Sequence, residues 1–271
     1  MTSLSETLKF TDLGIDRRTL NGALTGARNV TMLALIGNPR GTYDKECRDP
    51  TNPDVQKLIK LQDVGPFRVR GLAPAVDVLA RILEDIGREK PDVLAVMSHV
   101  GMLCCRLVRG SASSISNHSW GTAIDLTLEG KLDKRGDERT QRGLMDIHPI
   151  FNRHGFFWGA AFTTEDSMHF EASEQLIRQW SDEGKLGAAP KTDFGLVSFG
   201  DRGTEVETLQ RNLQKALDMD IGVDGVFGKD TRAAVMEFQR RNGLTVDGVV
   251  GTATGKALAK AVAASAEMAD A

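Results

Sequence analysis

From residue 72 to 89 the chain reads LAPAVDVLARILEDIGRE, placing Val76, Leu79, Ile82, Leu83 and Ile86 at helical spacing. One apolar stripe with Pro74 near the first turn predicts a long amphipathic helix that backs a sheet. Residues 122–128, TAIDLTL, alternate instead, with Ile124, Leu126 and Leu128 on one face and Ala123, Asp125 and Thr127 on the other. A period of two predicts a strand whose apolar face meets a core and whose Asp125 points where water or a ligand can reach. SMHFEAS, residues 167–173, alternates likewise, with His169 and Glu171 on one face and Met168 and Phe170 on the other. PDVLAVM, residues 91–97, reads as a further strand, and EQLIRQWSDEG as a closing helix.

Other stretches break these periods. The apolar run VTMLALIG precedes NPRGTYDKECRDPTNPD, which is polar and turn-rich and is expected to cross the surface as a loop. KLDKRGDERTQRG, residues 131–143, is charged and punctuated by glycine, and a solvated loop is expected there. GKLGAAPKTDFGL then loses all pattern and marks a linker. Beyond it, VDGVFGKDT (223–231) and VDGVVGTAT (246–254) repeat at a spacing of 23, each ahead of a helical stretch. VETLQRNLQKAL precedes the first copy with Val206, Leu209, Leu213 and Leu217 on one stripe. Two turn-helix units after an initial helix predict a small three-helix domain, with Thr231 and Thr254 as helix N-caps.

Composition mainly excludes. A chain of 271 residues with 41% hydrophobic content can build one large or two modest cores. Lys plus Arg number 34 against 37 for Asp plus Glu, so no cationic field suits a nucleic acid. No stretch offers the roughly 18 to 20 apolar residues of a membrane span. The start, MTSLSETLKFTDLGIDRRTL, has no continuous apolar segment, so synthesis in the cytoplasm without a signal peptide is expected. Cys47, Cys104 and Cys105 show no paired spacing, and neither a disulfide framework nor a thiolate zinc knuckle is expected.

The stretch SNHSWGTAID, residues 116–125, brings in the chemistry. His118 enters the strand that carries Asp125, and His169 lies on the exposed face of a later one. Singly, each is an ordinary polar residue; together, two imidazoles and a carboxylate form a catalytic Zn2+ set with one position left open. Gly121 permits the turn that brings His118 and Asp125 to one centre. Asp166, three residues before His169, is the candidate base, with Glu165 and Glu171 as rivals. Glu171, nearly 7 Å along the strand from His169, better suits orienting a ligand. Arg106 and Arg109 are candidates for holding a substrate carboxylate, and Trp120, Phe156, Phe157 and Trp158 for walling a cleft. His99, His148 and His154 lack a comparable strand phase.

GMLCCRLVRGSASSISNHSWGTAIDLTLEG, followed by EDSMHFE, resembles peptidase family M15 in its VanY-like branch, D-alanyl-D-alanine carboxypeptidases and L-alanyl-D-glutamate endopeptidases. That family's pattern is S-x-H-x-x-G-x-A-x-D with a downstream E/D-x-x-H, and Ser116 fills its first position. The resemblance implies zinc ligands at His118, Asp125 and His169, a base at Asp166, and a substrate-binding arginine at Arg106. Asp166 stands where better-known members carry glutamate. The segment from FGDRGTEVETLQ to TATGKAL is similar to a peptidoglycan-binding three-helix domain.

The resemblance therefore implies an α+β fold, a small antiparallel sheet with flanking helices, joined to an all-α second domain. The expected division is residues 1–184 for a zinc peptidase domain, 185–196 for the linker and 197–271 for the wall-binding domain. It implies cleavage of a stem or cross-link peptide bond of bacterial peptidoglycan by a monomer without stable membrane insertion. The absence of a signal peptide looks like a phage endolysin released by a holin or by membrane damage. A bacterial D-alanyl-D-alanine carboxypeptidase and a non-catalytic wall-binding protein are the competing expectations.

Overall fold

The computed structural model describes residues 3–111, 114–187 and 197–269. The chain divides into two compact units, Met1–Met32 with Asn38–Gly187, and Leu33–Gly37 with Ala188–Ala271. Of the linker expected at 185–196, residues 188–196 lie outside the described residues.

Through residue 187 the elements run β1 (Thr7–Lys9), α1 (Asn29–Leu35), α2 (Pro53–Lys57), β2 (Ile59–Asp63), β3 (Arg68–Leu72), α3 (Ala73–Glu89) and α4 (Pro91–Ala95). They continue with β4 (Met97–Gly101), β5 (Ala123–Leu128), β6 (Lys131–Leu132), β7 (Arg139–Gln141), α5 (Arg142–Arg153), β8 (Phe156–Trp158), β9 (His169–Ala172) and α6 (Glu174–Asp182). The α3 helix is the one its apolar stripe predicts, and Val76, Leu79, Ile82, Leu83 and Ile86 are all buried. Truncating one of them, Leu79→Ala for instance, would cost roughly 2–5 kcal/mol.

The main sheet has the order β4-β5-β9-β8, antiparallel throughout, with β6 folding back on β5. Two smaller antiparallel ribbons pair β1 with β7 and β2 with β3. This is the mixed helix-and-sheet class expected. One register carries the rest of the molecule: in the β5–β9 ladder Asp125 stands opposite His169, and Ala123 opposite Glu171. Both pairs lie on the same face, because side chains two apart on a strand share a side.

Three local expectations are corrected. PDVLAVM is not one strand: residues 91–95 form α4, with Pro91 at its start and Asp92 in its first turn, and β4 begins only at Met97. The apolar content was right but proline at N1 favours a helical turn. KLDKRGDERTQRG is not a solvated loop, since it supplies β6, β7 and the start of α5 and buries Asp133, Thr140 and Gln141. Some of its charges are engaged by distant partners as well as by water: Glu138 pairs with Arg17, and Arg139 donates to Thr7. Lastly, Cys47 and Cys104 form a disulfide, Cα–Cα 5.0 Å, across 57 residues, while Cys105 stays free and buried. Sequence spacing is blind to such a contact because the tertiary fold, not the local chain, brings the two thiols together.

The second unit holds α7 (Thr204–Leu217), α8 (Lys229–Arg241) and α9 (Thr252–Ala269). Val206, Leu209, Leu213 and Leu217 of α7 are buried with Phe227, Val235, Phe238, Val250 and Leu258 in one core. Each repeat is organised by a buried glutamine from the helix before it. Gln210 Nε2 donates to Asp224 Oδ1 (2.8 Å), Val226 O (3.1 Å) and Thr231 Oγ1 (3.0 Å), and its Oε1 accepts from Gly225 N (3.0 Å). Gln239 does the same with Asp247 (2.7 Å), Val249 O (2.8 Å), Thr254 (3.1 Å) and Gly248 N (2.9 Å). Thr231 is thus no N-cap; Gly228 precedes α8, and the threonine sits inside the first turn as a partner of glutamine. Thr254 occupies the equivalent place in α9.

Candidate metal centre

A 3-10 turn, Asn117–Trp120, delivers His118, and it ends at Gly121 with φ +67°. A Cβ at Gly121 would lie 2.7 Å from Gly71 Cα and Leu72 N, and the Gly121 carbonyl accepts from Leu72 N at 2.8 Å. Both the left-handed backbone and the close approach to β3 therefore require glycine. From this turn His118 meets the Asp125–His169 pair: His118 Nε2 lies 3.1 Å from Asp125 Oδ1 and 3.2 Å from His169 Nδ1, and His169 Nδ1 lies 3.0 Å from Asp125 Oδ1.

The outward nitrogens decide what these contacts mean. His118 Nδ1 faces the Met102 carbonyl at 3.1 Å, and His169 Nε2 faces Glu171 Oε2 at 2.9 Å. Both partners are acceptors, so a ring in its neutral, metal-ligating form donates outward and turns its lone pair inward. Two lone pairs and a carboxylate oxygen then converge, an arrangement that a cation resolves. For donors 2.0–2.1 Å from a tetrahedral Zn2+, the donor–donor separation is about 3.3 Å. The observed edges of 3.0–3.2 Å fit that group, as does the chemistry of two imidazoles and a carboxylate.

Electrostatics agree. Burial alone would lower the His169 pKa, but hydrogen bonds to Asp125 and Glu171 push it up to about 10. Burial would raise that of Asp125, yet the two histidines hold it well below the usual carboxylate range. The proton drawn to His169 senses the negative potential a cation would meet, and binding a cation there would release it.

Glu171 is anchored on both oxygens: Asn117 Nδ2 donates to Oε2 at 2.9 Å, and Ala27 N to Oε1 at 3.2 Å. Asp166 lies on the turn into β9, its carbonyl accepting from His169 N at 3.1 Å. Its Oδ2 pairs with Arg135 Nε at 3.2 Å, and its buried Oδ1 has no hydrogen-bond partner among the described residues. Burial raises its pKa, with the charges of His169, Asp125, Arg135 and His118 acting on it too. Glu165, the rival, is fully buried and occupied by Ser167 N (2.6 Å), Ser167 Oγ (2.5 Å) and Gly136 N (3.1 Å), holding the turn together.

Arg106 is half-buried and makes no ion pair among the described residues; its Nη1 donates to Leu107 O at 3.1 Å. Burial first, then Arg109, lowers its pKa, and Asp125, Asp166 and Arg135 share its field. Arg109 is exposed. Ser116 opens the 3-10 turn through its backbone, accepting from Ser119 N at 2.8 Å.

The aromatic expectation needs correction. Trp120 and Trp158 are fully buried and wall no accessible surface; Trp158 donates to Ser167 O at 2.7 Å and stacks on Phe170 at 5.8 Å and on His148 at 4.6 Å. Large rings next to a sheet bury more apolar area inward than a cleft would allow them. An aromatic ring beside the triad is that of Phe162, its centroid 5.6 Å from that of His169. Neither Phe162 nor Arg135 was legible beforehand, Arg135 because it is hidden in a run of charges.

The family described as D-alanyl-D-alanine carboxypeptidase, of the M15 peptidases, matches residues 109–172, which contain the whole triad and Asp166. The first unit thus contains a segment similar to the M15 peptidases. A peptidoglycan binding domain family matches residues 202–258, so the stretch similar to M15 peptidases is followed by one similar to a second family. An uncharacterized protein in the bpoA1 3′ region of Kitasatospora aureofaciens is 45% identical over 64 residues, 23% of this chain. The matched stretch spans about half of that relative, 54% of its length. A solved structure, the SleB N-terminal domain, is 37% identical and covers 26% of this chain and 97% of its own, with a TM-score of 0.25.

Proposed function

We propose that the protein is a zinc-dependent peptidase that hydrolyses a peptide bond in the stem or cross-link peptides of bacterial peptidoglycan. Its bond is L-alanyl-D-glutamate or a D,D cross-link, and its setting is that of a phage endolysin lysing its host. The observation that carries the reading is the inward convergence of His118 Nε2, His169 Nδ1 and Asp125 Oδ1 at 3.0–3.2 Å, with each outward histidine nitrogen committed to an acceptor.

When bound, zinc supplies Lewis acidity and makes water acidic enough to yield a nucleophile near neutral pH. His118, Asp125 and His169 would hold it. Asp166 takes the proton from the attacking water and returns it to the leaving amine, a role its raised pKa and free Oδ1 support. Arg106, half-buried and outside any ion pair among the described residues, anchors a free carboxylate of the stem peptide. The peptidoglycan-binding segment holds the chain on its polymeric substrate. In this reading the chain reaches the wall after release by a holin or membrane damage, where a Cys47–Cys104 disulfide persists.

The test is the product mass spectrum of digested muropeptides, with and without a chelator and with His169→Ala. New termini at one peptide bond, abolished by chelator and by the substitution while binding to sacculi survives, are expected. Release of terminal D-alanine alone would assign a carboxypeptidase; undiminished cleavage by His169→Ala would remove the zinc site from the chemistry.

A further inference from the structure

Arg135 reaches Asp166 from a part of the chain that supplies nothing to the triad. It lies on the strap between β6 and β7, whose base is closed by Gln141 N donating to Asp133 Oδ2 at 2.7 Å. The strap is fastened outside by Arg17, which donates to Glu138 at 2.8 and 2.9 Å and, across the turn after β8, to Ala160 O at 2.6 Å and Phe162 O at 2.9 Å. At its tip, two consecutive residues dock on two others. Gly136 N donates to Glu165 O at 2.8 Å, and Arg135 Nε meets Asp166 Oδ2 at 3.2 Å.

Gly136 takes φ +79°, a backbone conformation that a side chain would strain, so the approach of the strap is set by its own chain. The ion pair is 30% exposed on the arginine side and adds little stability. What it does fix is orientation: one oxygen of Asp166 is tied to a guanidinium, and the other, buried, has no partner among the described residues.

We propose that Arg135 is a positioning residue for the hydrolysis described above, on which this inference rests. It holds Asp166 by Oδ2 so that Oδ1 alone is left to take and return the proton. Small misplacement of a reacting group costs rate far more than it costs binding, so the effect belongs in kcat.

The experiment compares the zinc-loaded full chain with Arg135→Gln, Arg135→Ala and Arg135→Lys on one soluble stem peptide. For Gln and Ala, kcat is expected to fall about 10- to 100-fold with KM within about twofold, and Lys, which keeps a cation but not the planar fork, to recover part of it. Zinc stoichiometry and Tm, read in parallel, are expected to match the wild type. A wild-type kcat in Arg135→Gln overturns the proposal, and so does a raised KM at unchanged kcat, which would make Arg135 a substrate contact. Loss of zinc in all three variants also overturns it, since the strap would then be holding the fold. A wild-type chain that hydrolyses nothing would overturn the peptidase reading itself, an outcome distinct from these.

Discussion

Glu171 Oε2 lies 2.9 Å from His169 Nε2, on the opposite edge of the ring from Asp125. The carboxylate fixes the tautomer and strengthens the inward nitrogen as a donor to metal. Glu171→Gln keeps the size but not the charge, and its amide can present a donor where the ring needs an acceptor. Zinc affinity is expected to fall about 10- to 100-fold, measured by competition with a chromophoric chelator. Unchanged affinity would mean that packing alone orients His169.

Asp166→Asn separates base from ligand. Asparagine cannot accept the proton, so kcat is expected to drop about 10²- to 10⁴-fold while zinc remains bound at one per chain. Metal analysis and steady-state kinetics on the same preparation check both halves. A variant that loses its zinc would place Asp166 among the ligands instead.

Asp133 gives a stability prediction that does not involve the metal. It is buried, and burial, with Glu165 and Asp137 nearby, raises its pKa to about 7 despite the Gln141 N–H bond. Its native pKa exceeds the unfolded one, so the folded chain holds the extra proton between about 4 and 7. Stability contributed there falls as pH rises through that window, by an amount on the order of a few kcal/mol. Asp133→Asn should flatten this limb, gaining relative to the wild type at pH 8 over pH 5. Urea midpoints of the chelator-treated first unit across pH report it, and parallel curves for the two proteins would refute it.

Gln210 and Gln239 predict equivalent defects in the two repeats. Replacing either with Ala strips partners from an Asp, a Thr, a carbonyl and backbone N–H groups, costing roughly 2–4 kcal/mol locally. Hydrogen exchange in the full chain should accelerate around 223–231 for Gln210→Ala and 246–254 for Gln239→Ala. Binding to sacculi should weaken with it, and cleavage of small soluble muropeptides should not.

How far the sequence could be read differs element by element. The α3 stripe, the alternation of β5 and β9 and the leucine stripe of α7 are local periodicities, and each appears in the structure where the spacing put it. The organising glutamines were missed, although Gln210 and Gln239 stand 14 and 8 residues before Asp224 and Asp247. They look like ordinary helix residues until the turns fold back on them. The charges of 131–143 read as a solvated loop for a similar reason: nothing local shows which partners of opposite sign will arrive, and Arg17 reaches Glu138 from 121 residues away while Asp166 reaches Arg135 from 31.

Sequence alone determined which faces of β5 and β9 carry Asp125, His169 and Glu171, because side-chain direction alternates along any strand whatever its neighbours. Only the tertiary structure decided that Asp125 stands opposite His169, that the 3-10 turn swings His118 onto the pair, that Cys47 meets Cys104, and that Trp120 and Trp158 go inward. Strand register and loop docking are settled by contacts between distant segments, and those contacts leave no local period to read.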